Sequence, residues 1–342
     1  MRGILILLLA AAGPCMAQKA YFIDGYHGGI YGHIPSWQTR FMVDKLKEYP
    51  DWRINLELEP ESWDTIKVRD SASYMAFREV MASPSARVEY VNPSYAQSYL
   101  WNISGESIIR QFYYGIKKLH GHFPSIRFTS YSSEEPCFTS ALPQLLRSYG
   151  FKYASLKNPN TCWGGYTRAV GGEVVDWIGP DGSRIMTVPR YGMEALQPNS
   201  IWQTIAFDNS VSYVKKAFAA GIRHPVGMTL QDAGWGFGPW LRGKNVVDSG
   251  QAGEQGVYVP TSYLTWREYF EKIADTGLCK PWKFSQEDVL VSLMWGSQVL
   301  QRIAREVRSA ENKLVQSEKV AAMRCIGGGE GWSGGAPEAA SR

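Results

Sequence analysis

Residues 20–48 read AYFIDGYHGGIYGHIPSWQTRFMVDKLKE, an apolar run followed by a glycine-rich loop and an amphipathic stretch. Ala20–Ile23 predicts a buried β-strand because it is short, uncharged and rich in aromatic and apolar residues. Ser36–Glu48 predicts a helix, since its apolar residues recur at helical spacing and Pro50 ends the pattern. A strand, a loop and a covering helix together form the first unit of an α/β protein.

The same alternation of short strands and longer helices continues to about Lys283. Further strands are predicted at 53–58, 88–91, 126–130, 153–156 and 225–230, a hairpin at 174–178 and 184–188, and helices at 75–81, 108–119, 140–149 and 211–220. Strands separated by helices indicate a mostly parallel sheet with helices on its faces. The number of strand and helix units favours an irregular, seven-stranded β/α barrel over a doubly wound sheet, although the spacing leaves both open.

The character of the sequence changes after residue 285. Residues 286–325 predict one long helix, the start of a second, helical domain, with no partner for its apolar stripe. Residues 326–342 are a mixture of glycine, serine and alanine with too little apolar surface to fold. We therefore expect residues 18–285 to form the main domain, and the chain to be part of a longer protein.

The first 17 residues predict a signal peptide, with Arg2 before an apolar core and small residues at Cys15–Ala17. The apolar core of about nine residues is much shorter than the roughly 20 that span a bilayer, so no stable membrane insertion is expected. The protein is therefore expected to be secreted or periplasmic.

The net charge is +4 without a basic block, which argues against nucleic-acid binding. Cys137 and Cys162 could form a disulfide in an oxidising compartment.

Candidate functional residues follow the predicted strands, because sites in such folds lie at the carboxyl ends of strands. The loop after the first strand contains Asp24, Tyr26, His27 and His33 among several glycines. Imidazole and carboxylate groups are the usual ligands of Zn²⁺, so His27 and Asp24 are candidate metal ligands. The alternative is that the histidines only form hydrogen bonds within a polar loop.

Two acidic loops follow later strands. Glu134 and Glu135 are adjacent carboxylates, which repel each other unless a metal ion or a chemical role accommodates one of them. They could instead stabilise the N-terminus of a helix. Asp232, in a glycine-rich loop with Trp235, is a candidate general acid/base, or else a residue that caps a turn.

Two segments resemble the α-mannosidases of glycoside hydrolase family 38. Residues 104–115, SGESIIRQFYYG, are similar to the segment in which a helix follows a loop beside the active site. Residues 135–151 contain EPCF, ALPQLL and GF, which are similar to the family's Asp-Pro-Phe-Gly-His segment and its Leu-Pro-Gln helix. The loop of His27 falls where the family has its His-x-Asp zinc motif. The similarity extends from about Tyr21 to Met323.

The resemblance implies a retaining glycosidase that uses a divalent metal ion, Zn²⁺ in this family, and whose barrel is of the glycoside hydrolase and deacetylase type. By position, it implies that His27 is a zinc ligand and that Glu135 replaces the family's nucleophilic, metal-binding Asp. Asp232 lies in the segment that supplies the acid/base. Gly29 stands where a second metal ligand, an Asp, is expected, so Asp24 or His33 would have to compensate, or the metal would differ.

The substrate expected from the resemblance is an oligosaccharide or glycan, with contacts from Tyr26, His33, Glu134 and Trp235. Because the family takes part of its pocket from later domains, we expect this chain alone to be inactive. One alternative is a polysaccharide deacetylase, which would carry a paired-Asp motif where Asp24 stands alone. The other is a non-catalytic carbohydrate-binding protein.

Overall fold

The computed structural model describes residues 19–28, 38–83, 87–96, 100, 103–133, 138–157, 166–167, 169–194, 209–232, 261–285, 288–290 and 303–327. Its strands are β1 Ala20–Ile23, β2 Gly25–Gly28, β3 Ile54–Leu58, β4 Val88–Tyr90, β5 Ser130–Tyr131, β6 Tyr153–Ser155, β7 Tyr166–Thr167, β8 Val175–Ile178, β9 Arg184–Val188, β10 Val226–Met228, β11 Gln231–Asp232, β12 Thr261–Tyr263, β13 Lys280–Trp282 and β14 Val289–Leu290. Its helices are α1 Gln38–Glu48, α2 Ser62–Arg69, α3 Ser71–Ala82, α4 Gly105–His122, α5 Leu142–Ser148, α6 Val211–Ala219, α7 Trp266–Lys272, a 3₁₀ turn Thr276–Leu278 and α8 Ala304–Ile326.

A long parallel strand pair lies at one edge of the sheet that the described residues form. β1 pairs with β10, where Tyr21 lies opposite Val226, and β2 pairs with β11, where His27 lies opposite Asp232. The offset in residue number is the same in both ladders, so β1 and β2 are two parts of one strand interrupted at Asp24. The sequence predicted that the chain leaves the sheet as a loop after Ile23. In the structure it stays in the sheet through Gly28, so the predicted end of the first strand was wrong.

Along its other edge, the β1–β2 strand changes its pairing partner at Asp24. β12 pairs with β1, whereas β3 pairs with β2 and places Asn55 opposite Gly25. The Asn55 side chain holds the junction, donating to the carbonyl oxygens of Asp24 at 3.0 Å and Leu264 at 3.2 Å. Its Oδ1 accepts from the Trp266 amide at 3.1 Å, so one buried amide ties three segments of chain together.

The remaining strands extend the sheet from β3. β4 is parallel to β3, and the Ser132 amide after β5 donates to the Val91 carbonyl after β4 at 3.0 Å. β5, β6 and β9 lie side by side in parallel, and β8 returns antiparallel to β9 as the predicted hairpin. The α/β class is confirmed. Within the described residues no ladder joins β9 to β10, and the predicted closed barrel stays a prediction.

The two faces of the β1–β2 strand and of β3 pack against different elements, because side chains alternate along a strand. Phe22, Tyr26 and Leu56 belong to the core cluster shared with α1, α2 and α3. Tyr21 and Ile23 point the other way, into a cluster with β10 and the residues Trp266 and Phe270 of α7. This second face, here called the inner face, is closed at its amino end by α7.

The C-terminal helix α8 is attached to α4 by charged groups. The Arg110 guanidinium donates to both carboxylate oxygens of Glu318, at 2.6 and 2.8 Å. The Ser104 amide at the start of α4 donates to Glu311 at 2.9 Å. The helix therefore has a partner for its charged side chains, whereas its apolar residues Leu314, Val320 and Met323 are exposed. Among the described residues the helix begins at Ala304, and β14 occupies part of the region predicted as helix before it.

No helix in the described part of the chain is both long and apolar enough to cross a bilayer. The predicted signal peptide, Cys137 and Cys162 lie outside the described residues.

Candidate active site

Three neighbouring strands place an imidazole beside two acidic positions at their carboxyl ends. His27 on β2 lies in register with Asp232 on β11 and, on the other side, with Glu57 on β3. Neighbouring parallel strands are about 4.8 Å apart, and residues in register project to the same face. The structure therefore brings the predicted positions His27 and Asp232 together, although they are far apart in sequence.

His27 and Glu57 lie on the inner face. Both alternate with residues of the helix-facing cluster, Tyr26 next to His27 and Leu56 and Leu58 next to Glu57. The two side chains are 5% and 2% exposed, so any ion or substrate that reaches them leaves bulk water. In such surroundings an imidazole and a carboxylate interact with a bound cation more strongly than at the surface.

Glu57 is held in place by two neutral donors. The Asn92 side-chain amide donates to Glu57 Oε1 at 2.7 Å, and the Ser133 hydroxyl donates to the same oxygen at 2.6 Å. Asn92 and Ser133 follow β4 and β5, so this network joins the carboxyl ends of three consecutive strands. The sequence reasoning missed Glu57. The sequence signal that could have identified Glu57 was the alternation in residues 53–58, RINLEL, where Glu57 falls on the face opposite Leu56 and Leu58.

Asp24 and Tyr26 lie on the other side of the strand from His27. The Asp24 carboxylate accepts hydrogen bonds from the Trp52 indole at 2.8 Å and from the Gly25 amide at 3.0 Å. Tyr26 is fully buried, and its ring lies edge-on to Trp52. These positions favour structural roles for both residues. Metal ligation by Asp24 and substrate contact by Tyr26 stay predictions.

Most of the other predicted site residues are not described by the structure. His33, Glu134, Glu135 and Trp235 lie outside the described residues, and for Asp232 only the backbone position is described. Among the side chains that are described, no three His, Cys, Asp or Glu groups converge to hold a metal ion.

The sequence matches the model of the glycosyl hydrolases family 38 N-terminal domain over residues 41–290, which is 250 of the 342 residues. The chain belongs to this family. No curated protein matches the sequence of this family 38 chain. The resemblance drawn from the two segments around 104–115 and 135–151 is thereby confirmed.

Solved structures with a similar fold include glycan-active enzymes. The α-mannosidase from Enterococcus faecalis V583 superposes with a TM-score of 0.54 at 14% identity, over 79% of the family 38 chain and 31% of that protein. The 4-α-glucanotransferase from Thermococcus litoralis gives 0.49 at 16% identity, over 76% and 41%. A putative polysaccharide deacetylase from Mycobacterium smegmatis gives 0.48 at 11% identity, over 80% and 96%. At 14% identity the likeness to the α-mannosidase shows the fold alone, and the chain spans about a third of that protein.

A buried ion pair lies at the carboxyl ends of β6 and β9 in the family 38 domain. The Lys157 ammonium contacts the Glu194 carboxylate and donates to the Tyr213 hydroxyl at 3.2 Å. It also lies 3.5 Å from the centre of the Tyr191 ring. Tyr213 in turn donates to the Val226 carbonyl at 2.7 Å, so the network connects β6 to β10. Burial lowers the pKa of Lys157 to about 8, an effect that Glu194 opposes.

A second buried acid, Glu89, lies at the amino end of the inner face and lines a cavity of about 350 Å³ away from His27. Its Oε2 accepts from the Arg267 amide at 2.7 Å, and burial raises the pKa of its carboxyl to about 6 from 4.5. The unfolded chain then binds fewer protons than the folded chain between these two values. We expect the free energy of unfolding to fall by up to about 2 kcal/mol as the pH rises through this window.

Substitution tests this expectation. Glu89→Gln keeps an oxygen for the Arg267 amide but cannot titrate, so the decline in unfolding free energy between pH 4.5 and 6.5 should become shallower. Urea unfolding at several pH values measures it. Glu79→Gln, at an exposed position of α3, should keep the wild-type slope. An unchanged slope in Glu89→Gln would contradict the assignment.

Proposed function

We propose that this chain forms the catalytic domain of a retaining, metal-dependent glycosidase of the α-mannosidase type. Membership of family 38 supports hydrolysis of a glycosidic bond, and the fold likeness to an α-mannosidase favours an α-mannoside as substrate. The observation that carries the proposal is the register of His27 with Asp232, which brings an imidazole and an acidic position together at the carboxyl end of the sheet.

In the proposed mechanism Glu135 is the nucleophile and Asp232 is the general acid/base. Glu135 attacks the anomeric carbon and forms a glycosyl ester, while Asp232 gives its proton to the departing glycosidic oxygen. Asp232 then takes a proton from water, which hydrolyses the ester and frees Glu135. This sequence retains the anomeric configuration and requires the two carboxyl groups to be about 5 Å apart.

We also propose a divalent metal ion, Zn²⁺, with His27 and Glu135 as ligands. The donor set fits in part, because His27 offers a buried imidazole on the inner face, whereas Asp24 points away and is engaged by Trp52 and Gly25. A bound ion would hold adjacent sugar hydroxyls as a Lewis acid.

We propose in addition that the sheet closes into a seven-stranded barrel, and that residues 1–17 direct export to the periplasm or the exterior.

Hydrolysis of α-mannosides tests the function directly. Protein purified together with the later domains that complete the pocket in this family would be assayed with zinc on an aryl α-mannoside and on an α-linked mannose disaccharide, and the anomer first formed would be read by NMR. Retention is expected. Asp232→Asn should lower kcat at least about 100-fold on the disaccharide, because its leaving oxygen needs the acid. The loss in the first step should be smaller on the aryl substrate, whose leaving group is already stabilised.

Controls separate the roles of the two acids. Glu135→Gln should lower turnover of both substrates, because the nucleophile is required whatever the leaving group. Asp275→Asn, at a partly exposed position where the carboxylate pairs with Arg223, should keep the wild-type rate. Inversion of configuration would exclude the nucleophilic role of Glu135. Sugar binding without turnover, unchanged in Glu135→Gln, would favour a non-catalytic carbohydrate-binding protein.

A further inference from the structure

Glu57 has features of a metal-binding carboxylate and was not among the residues singled out by sequence. It projects from β3 to the inner face beside His27, one strand spacing away in register. Zinc binds imidazole nitrogen and carboxylate oxygen at about 2.0–2.2 Å, so two side chains placed in this way can reach one ion. We propose that Glu57 is a direct zinc ligand together with His27, an inference that rests on the metal in the proposed function.

The surroundings of Glu57 suit this role. A carboxylate that is 2% exposed is costly to ionise unless a cation or strong hydrogen bonds compensate it. The Asn92 amide and the Ser133 hydroxyl both donate to Oε1 and so fix the orientation of the carboxylate. Hydrogen bonds to a ligating carboxylate are the usual second layer of a metal site.

The buried Glu89 offers a direct comparison. It lies on the same face and is equally buried, but it is in register with Asn55, at the level of Gly25 and below His27. Its Oε2 accepts from the Arg267 amide at the start of α7, which covers the amino end of the face. Burial alone therefore does not distinguish the two acids, whereas the position beside His27 does.

The test measures binding of zinc itself. Zinc affinity would be determined by competition with a chromophoric chelator, and the visible spectrum of the Co²⁺-loaded protein would report the ligands. Glu57→Gln should raise the zinc Kd at least about 100-fold and alter the Co²⁺ spectrum, since a neutral amide is a poor ligand. Glu89→Gln should keep the wild-type Kd and spectrum. Circular dichroism and thermal unfolding would verify that each variant is folded.

A second variant applies if Glu57→Gln does not fold. Asn92→Ala with Ser133→Ala leaves the carboxylate in place but removes its two donors, and should raise the zinc Kd about 10-fold. The inference about Glu57 would be overturned if a folded Glu57→Gln variant kept the wild-type zinc affinity and Co²⁺ spectrum. If only the double variant folds, the same result in that variant would overturn it. Neither result would affect the proposed function. A wild-type protein that binds no zinc would overturn the metal in the proposed function as well.

Discussion

Replacing Lys157 by methionine is expected to lower the free energy of unfolding by about 3–5 kcal/mol. Both side chains of the Lys157–Glu194 pair are completely buried, so removing the ammonium leaves the Glu194 carboxylate without its cation. Methionine fills a similar volume, so the loss reflects the uncompensated charge more than a cavity. Urea unfolding of the wild type and the variant at pH 7 measures the difference.

A double-mutant cycle identifies the cause of that loss. Glu194→Gln added to Lys157→Met removes the buried charge and should restore most of the lost stability, because a neutral amide costs far less to bury than a carboxylate. Lys216→Met, at an exposed position of the same helix as Tyr213, should change stability by less than about 0.5 kcal/mol. A double variant as unstable as Lys157→Met alone would show that packing of the lysine stem, and not charge, dominates.

The order of strands and helices could be predicted well because apolar periodicity is a local property. The hairpin and helix α6 appear within a residue or two of their predicted bounds. The first strand was predicted too short because the glycines after Ile23 are typical of a loop. In the structure Gly25 lies in a strand, where the Asn55 backbone of β3 leaves no room for a side chain. Such a close approach depends on a neighbouring strand and leaves no local pattern.

Apolar periodicity also did not predict the contacts of α8. The helix was expected to need an apolar partner, but it is attached to α4 through Glu311 and Glu318, both on its charged surface. Leu314, Val320 and Met323 remain exposed. A pattern that counts apolar residues cannot predict an interface built on an ion pair and hydrogen bonds to carboxylates.

The candidate residues could be singled out where a local sequence pattern marks them, and Glu57 was missed because no such pattern marks it. Asp232 and His27 were singled out because glycines surround them in the sequence. Glu57 was missed because a charged residue alternating with leucines also occurs in strands whose polar face is in solvent. Only the register with His27, and the burial of both residues, places Glu57 inside the molecule.

The second large effect is expected at Gly25. A Cβ atom there would lie 1.9 Å from the Asn55 carbonyl oxygen and 2.8 Å from its carbon, both backbone atoms that cannot turn away. Gly25→Ala must therefore push β2 and β3 apart and weaken their hydrogen bonds. We expect it to lower the free energy of unfolding by more than about 3 kcal/mol, as measured by urea unfolding.

The same substitution links the strand pairing to the site, because the β2–β3 ladder that begins at Gly25 holds His27 beside Glu57. If those two residues share a zinc ion, a folded Gly25→Ala variant should bind zinc more weakly than the wild type, although neither side chain has been altered. Gly121→Ala is the matched control, since a Cβ in that exposed helical position meets nothing within 4 Å. It should raise stability by up to about 1 kcal/mol and leave zinc affinity unchanged. Equal stability of Gly25→Ala and the wild type would mean that β2 and β3 are not packed as closely as the structure has them.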